Sequence, residues 1–239
     1  MYLPPHFAET DRDRIHDVIR AHAFGTLVSV VDGAPIATLL PFTLVVEGND
    51  DAGTLYGHVA RVNPHAATFD GLHDAIALFH GPHAYVSPTW YETPVAVPTW
   101  NYTVVEASGR PERIDDRDRV RAILNTLAAT YEAGQPAPWT MDAMPAEFTG
   151  KMMDGIVAFA MPIRQLTGKV KMSQNRSAAD RAGVRAGVGD EFAHGGGRHR
   201  RMNDEQVRRT RRQRNRREVA LRDRKSTRLN SSHTDISRM

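Results

Sequence analysis

The segment Gly57 to His65 (GHVARVNPH) brings together residue types that hold anions. A strand carrying His58 and Arg61 leads into Asn63-Pro64, a capping residue followed by a proline suited to the first position of a helix. An arginine fork beside the free N–H groups of a helix start is a sound phosphate site. The same residues fit a plainer assignment equally well, with Arg61 paired to a surface carboxylate and Asn63 serving only as a cap. Two aromatic stretches, PHAYVSPTWYE and VPTWNY, gather Tyr85, Trp90, Tyr91, Trp100 and Tyr102 around a proline-stiffened loop. Such a density stacks on a planar cofactor or buries itself at an interface, and interface or core packing is the commoner use.

His73, His80 and His83 lie close together and offer imidazoles to a metal or haem. His80 and His83 flank Gly-Pro with no carboxylate at ligand spacing, so hydrogen-bonded turn and strand-end histidines are the expected role. No catalytic base stands out, although His83 and Tyr85 are available. The chain has no cysteine, which excludes disulfides, thiolate metal sites and a thiol nucleophile. Phosphate-loop, Rossmann, zincin and nucleophile-elbow motifs are all missing. No apolar run is long enough to span a bilayer as a helix, and the opening MYLPPHFAETD lacks the features of an export signal. A cytoplasmic protein is the expectation.

These residues need a scaffold, and the hydrophobic pattern supplies one. Thr10 and Asp13 have capping-box spacing before Ile15, Val18, Ile19 and Ala23, an amphipathic helix ending near Gly25. Residues 25–31 and 35–46 read as a hairpin about Asp32-Gly33. Further strands are expected over 53–62, 75–80, 84–87, 100–109 and 156–163, with a short helix from Asn63 to about Leu72. Asp115 or Asp116 caps a longer helix bearing Val120, Ile123, Leu124 and Leu127, a short helix ends at 150–153, and Ser177 with Asp180 starts a last one. About six hairpin-linked strands with flanking helices describe an α+β protein built on an antiparallel barrel.

Charge divides the 239-residue chain. His194 to Met239 holds 15 Lys+Arg against 5 Asp+Glu, or +10, leaving 16 against 23, or −7, for the rest. The arginine-dense tail has too few apolar residues to offset its ordering entropy. Asp223 to His233 (DRKSTRLNSSH) resembles the translation of a sequencing-library adapter. The expectation is a domain over 1–190 and a disordered basic tail over 191–239 that is a frameshift and adapter artefact.

At GHVARVNPH, FHGPHAYVSPTWY, VPTWNY and KMSQNR, four motifs in order, the sequence resembles the PaiB family of FMN-binding negative transcriptional regulators over about residues 1–188. The resemblance implies an antiparallel split β-barrel with flanking helices and a homodimer with FMN near the subunit interface. It implies transcriptional repression, with an FMN-dependent oxidoreductase of the pyridoxamine-phosphate-oxidase or haem-degrading kind as the alternative activity. Residue by residue it implies Thr38, His58, Arg61 and Asn63 around the flavin, Trp90, Trp100 and Asn101 at or across the interface, and Gln174 and Asn175 in a motif of unassigned role. DNA binding, implied by the repressor name, sits poorly with a body of net −7, with no helix-turn-helix pattern and with a first helix acidic at Asp11, Asp13 and Asp17.

Overall fold

The computed structural model describes residues 1–48 and 52–189. The expected tail therefore lies outside the described residues. Met1–Arg181 forms one compact unit, and Ala182 opens a second whose described residues, 182–189, are helical.

Among the described residues of the first unit, nine strands and three α-helices precede a further helix that begins at Ala178: β1 (Ala8–Glu9), α1 (Arg12–Ala21), β2 (Phe24–Val31), β3 (Ala34–Pro41), β4 (Thr43–Val45), β5 (Thr54–Ala60), β6 (Ala75–Val86), β7 (Thr99–Gly109), β8 (Glu112–Ile114), α2 (Arg117–Glu132), α3 (Ala146–Asp154) and β9 (Ile156–Lys171). The sheet order is β3-β2-β6-β7-β9-β5-β4, with β1 and β8 also pairing β9, and every pairing is antiparallel. β9 joins the two halves. Its first part pairs β5 and β8, and its second part pairs β7 and β1. β3 ends the ladder on one side and lies against β5 without pairing to it, so the barrel is open along a β3/β5 seam.

Local chemistry accounts for the main elements. Asp32 and Gly33 both have positive φ, 51° and 79°, as a tight two-residue hairpin turn requires. Asp11, rather than Thr10, caps α1 by accepting from the Arg14 amide. Asp116 caps α2 by accepting from two amides, and the Ser177 hydroxyl accepts from the Asp180 amide. The expected helix after Asn63 is only a short 3-10 turn, Pro64–Thr68. The strands expected over 75–80 and 84–87 are one strand, β6, with an irregularity between His80 and His83. β9 runs eight residues beyond the apolar stretch the sequence marks, ending at Lys171.

The core lies inside the barrel, where Leu27, Leu40, Phe42, Leu55, Phe69, Phe79, Val105, Phe159 and Met161 are buried. Phe42 meets the edges of Phe79 and Phe159 at centroid distances of 5.3 and 6.2 Å. Gly57 sits where a Cβ would fall 2.8 Å from Leu40 and 2.9 Å from Phe159, so a larger residue there would push these core side chains aside. A second, smaller cluster of Ile114, Val120, Met141, Met153, Ala158 and Ala160 anchors α2 and α3 to the other face of β5 and β9.

Candidate functional site at the barrel seam

A hollow of about 570 Å³ opens along the seam, lined by Ile36, Ala37 and Thr38 of β3 and by Ala60, Val62, Asn63 and Pro64 at the end of β5. Its floor is a hydrogen-bonded knot. The Asn63 amide nitrogen donates to the Thr38 hydroxyl at 3.1 Å, and that hydroxyl lies 2.6 Å from His65 Nδ1. The Asn63 carbonyl oxygen accepts from the His65 backbone N–H at 3.0 Å. The Thr38 hydroxyl, which accepts from Asn63, can still donate its proton to His65 Nδ1, and in that tautomer the imidazole proton sits on Nε2. His65 is fully buried and that Nε2 has no hydrogen-bond partner. Burial holds its pKa below the ordinary 6.5, so the ring is neutral.

The walls are apolar and open. Val62 is 92% exposed, beside exposed Ala37, Ala60 and Pro64. A β3 edge with unpaired backbone, a polar floor and apolar walls make a cradle for a flat molecule with a polar edge.

The other expected site residues fall in different places. Arg61 is exposed and turns to the far side, its Nε donating to the Asp154 carbonyl at 2.5 Å and its Nη2 to the Ile156 carbonyl at 2.9 Å. Both acceptors are uncharged backbone carbonyls, and Arg61 makes no ion pair among the described residues. The start of the 3-10 turn offers little to an anion, because Pro64 has no N–H and Asn63 takes those of His65 and Ala66. His58 stands on the opposite face of β5 from buried Leu55, Gly57 and Val59, and lines a separate cavity under α2 and α3.

On β7, Trp100 and Asn101 point to opposite faces. Trp100 is 52% exposed and meets its cross-strand partner Tyr85 edge to face at 5.8 Å. Asn101 is buried and accepts from the Ser173 hydroxyl at 3.0 Å. Gln174 folds back on its own turn, donating to the Val170 carbonyl at 2.5 Å and accepting from the Met172 amide at 2.6 Å. Arg176 lies over the Tyr91 ring at 4.6 Å, and Asp180 accepts from the Glu92 and Thr93 amides and the Thr93 hydroxyl. The KMSQNR turn thus clamps the aromatic loop to the end of β9. Trp90 is half-buried in that loop and Asn175 is exposed.

The sequence singled out neither His65 nor its bond to Thr38, although His65 belongs to the NPH triplet two residues beyond the capping Asn63. His73 and His83 make local contacts, with the Asp70 carboxylate at 2.9 Å and the Gly81 carbonyl at 3.4 Å. No group of three or more metal-ligating side chains occurs among the described residues, nor is any helix there long and apolar enough to cross a membrane.

Residues 1–165 match the family model described as "Putative FMN-binding domain". A curated relative, "Protease synthase and sporulation protein PAI 2" of Bacillus subtilis, is 34% identical over 180 residues, 75% of this chain and 85% of the relative. An uncharacterised Aspergillus fumigatus protein is 30% identical, covering 77% of this chain and 89% of its own. Among solved structures, the FAD and haem binding protein from Mycobacterium smegmatis superposes with a TM-score of 0.54 at 20% identity, over 73% of this chain and 78% of that one. The flavocytochrome Anf3 from Azotobacter vinelandii superposes with a TM-score of 0.55 at 16% identity, over 74% and 75%. These superpositions establish the flavin-type split-barrel fold.

Proposed function

The chain belongs to the FMN-binding domain family, and from that premise we propose that it is a PaiB-type regulator that holds FMN in the β3/β5 seam and lowers expression of its target genes. The observation that carries this reading is the Thr38, Asn63 and His65 knot under an open apolar hollow. A cradle of hydroxyl, amide and apolar groups, backed by a buried neutral imidazole, fits a flavin, whose ring is flat and whose edge is rich in acceptors and donors. In this reading Thr38 and Asn63 fix the polar edge of the flavin and Val62 covers a face. In the same reading Arg61, the nearest cation along the chain, meets the phosphate by leaving the Asp154 and Ile156 carbonyls that it holds in the flavin-free chain. Bound FMN supplies one- and two-electron chemistry, and the chain's own groups bind it, orient it and keep water from its ring.

Arg176 serves the site indirectly, by holding the aromatic loop through Tyr91, while Asn101 ties Ser173 to β7 and Gln174 braces its own turn. The working form is a homodimer. Phe24, Val30, Leu39 and Ile76 stand exposed on one outer face of the β3-β2-β6 sheet, the kind of apolar patch that a second copy buries. Repression works without a direct grip on DNA by the folded part, since that part lacks the positive field that phosphate binding needs.

Two measurements on the purified chain test this reading. FMN titration should give saturable binding at one flavin per chain, and a truncation after Gly189 should fail to retard DNA at physiological salt. Absence of flavin binding sinks the cofactor assignment, and nanomolar sequence-selective retardation sinks the indirect mode. Steady bleaching of the flavin by NAD(P)H with turnover of an acceptor would favour an oxidoreductase instead.

A further inference from the structure

Away from the seam, a cavity of about 460 Å³ lies between α2, α3 and the outer face of β5. Leu124, Leu127, Ala128 and Tyr131 form an apolar stripe along α2, at the spacing that normally faces a core. Here the stripe lines open space: Leu124, Leu127 and Ala128 are only half-buried and Tyr131 is exposed. Phe148 and Met152 of α3 face the same space and are also exposed. The Glu132 carboxylate accepts from the Trp139 amide at 2.9 Å, which fixes Trp139 as a further wall. The volume is within the range of small-molecule sites, roughly 300 to 1,000 Å³.

One polar group breaks the apolar lining from the strand side. His58 lines the cavity, and its Nδ1 is buried without a hydrogen-bond partner. An unmet imidazole nitrogen in such a place is costly unless a ligand completes it. Burial keeps this ring neutral by lowering its pKa below the ordinary 6.5. The lining residues include no cation and one carboxylate, Glu132, so a charged ligand would lose hydration without gaining a counter-ion.

We propose that this cavity is a second binding site, separate from the flavin seam, for an uncharged aromatic molecule that carries one hydroxyl directed at His58. A hydroxyl both donates and accepts, so it satisfies either tautomer of the imidazole. The apolar walls take the ring, and the imidazole selects the hydroxyl.

The test uses the full chain and equilibrium dialysis with 2-naphthol and, in parallel, naphthalene and 2-naphthoate, with flavin content followed by absorbance. The expected result is saturable binding of one 2-naphthol per chain, about three- to tenfold tighter than naphthalene, the worth of one modest hydrogen bond. The carboxylate 2-naphthoate should bind more weakly than both. His58→Phe should erase the preference for naphthol over naphthalene while leaving naphthalene bound, and Ala128→Trp should abolish both by filling the cavity without lowering the melting temperature. Four results overturn the proposal. These are no saturable binding, binding indifferent to Ala128→Trp, release of FMN by naphthol, and loss of binding as protein concentration rises, which would mean that a second copy covers this face. Because the readout is naphthol bound per chain, it stands whether or not the seam holds FMN.

Discussion

Replacing Thr38 by valine tests the knot at the seam in the most direct way, because valine keeps the shape and removes only the hydroxyl. Two groups lose a partner: His65 Nδ1, on a fully buried ring, and the Asn63 amide nitrogen. Asn63 is only half-buried, so water can replace its lost acceptor, whereas His65 cannot be reached. Leaving one buried polar atom unsatisfied costs about 1 to 3 kcal/mol. For a domain of this size that lowers the melting temperature by about 2 to 12 °C. Thr38→Ser keeps the hydroxyl and should lose far less. If Thr38 also touches the flavin, FMN affinity should fall about tenfold in the valine variant and recover in the serine variant. Thermal unfolding followed by circular dichroism, with and without FMN, reads both effects. Equal melting temperatures for the wild type and both variants would refute the knot, since no hydroxyl-dependent term would then exist.

Arg61→Ala should weaken FMN about ten- to a hundredfold and leave riboflavin, which lacks the phosphate, unchanged; an equal loss for both flavins in parallel titrations would mean that Arg61 serves only to tie down the Asp154 and Ile156 carbonyls. The buried neutral His58 and His65 bind protons more readily in the unfolded chain, so stability is complete above pH 6.5 and falls as pH drops below it. Denaturant midpoints between pH 7.5 and 5 measure this, and His65→Gln should flatten the slope. Leu39→Glu, on the outer sheet face, should turn a dimer into a monomer in sedimentation velocity without unfolding it, and an unchanged sedimentation coefficient would discount that face.

Much of the scaffold is legible in local chemistry. Asp32-Gly33 specifies its hairpin because the turn needs two positive φ values, and Asn63-Pro64, like Ser87-Pro88, marks a capped turn because the pair offers both an acceptor and a preset φ. The second half of β9 is not legible, because Arg164 to Lys171 is mostly polar and takes its extended form from pairing with β7 and β1. Gly81-Pro82 reads as a turn between two strands, yet the chain carries both through as an irregularity in β6, where the missing proline N–H is tolerated.

The site is legible by residue type and hidden by direction. GHVARVNPH does mark the strand whose end borders the hollow, but Gly57 occupies an inward position, so the alternation that would separate inward from outward side chains is blurred and His58 reads as a neighbour of Asn63 rather than as part of another face. Thr38 and His65 meet only because β3 and β5 face each other across an unpaired seam, a tertiary fact with no signature in either segment. The SQN motif gains its role the same way: Ser173 reaches Asn101 on β7, and the Arg176 that follows the motif covers Tyr91 in the aromatic loop.

The central claim is that FMN occupies the β3/β5 seam, and the measurement that bears on it most directly is FMN titration of the wild type beside Ala60→Trp, whose exposed indole would fill the hollow. One FMN should bind per wild-type chain and almost none to the variant, with both melting at the same temperature in the absence of flavin. Equal FMN binding by the two proteins would contradict it.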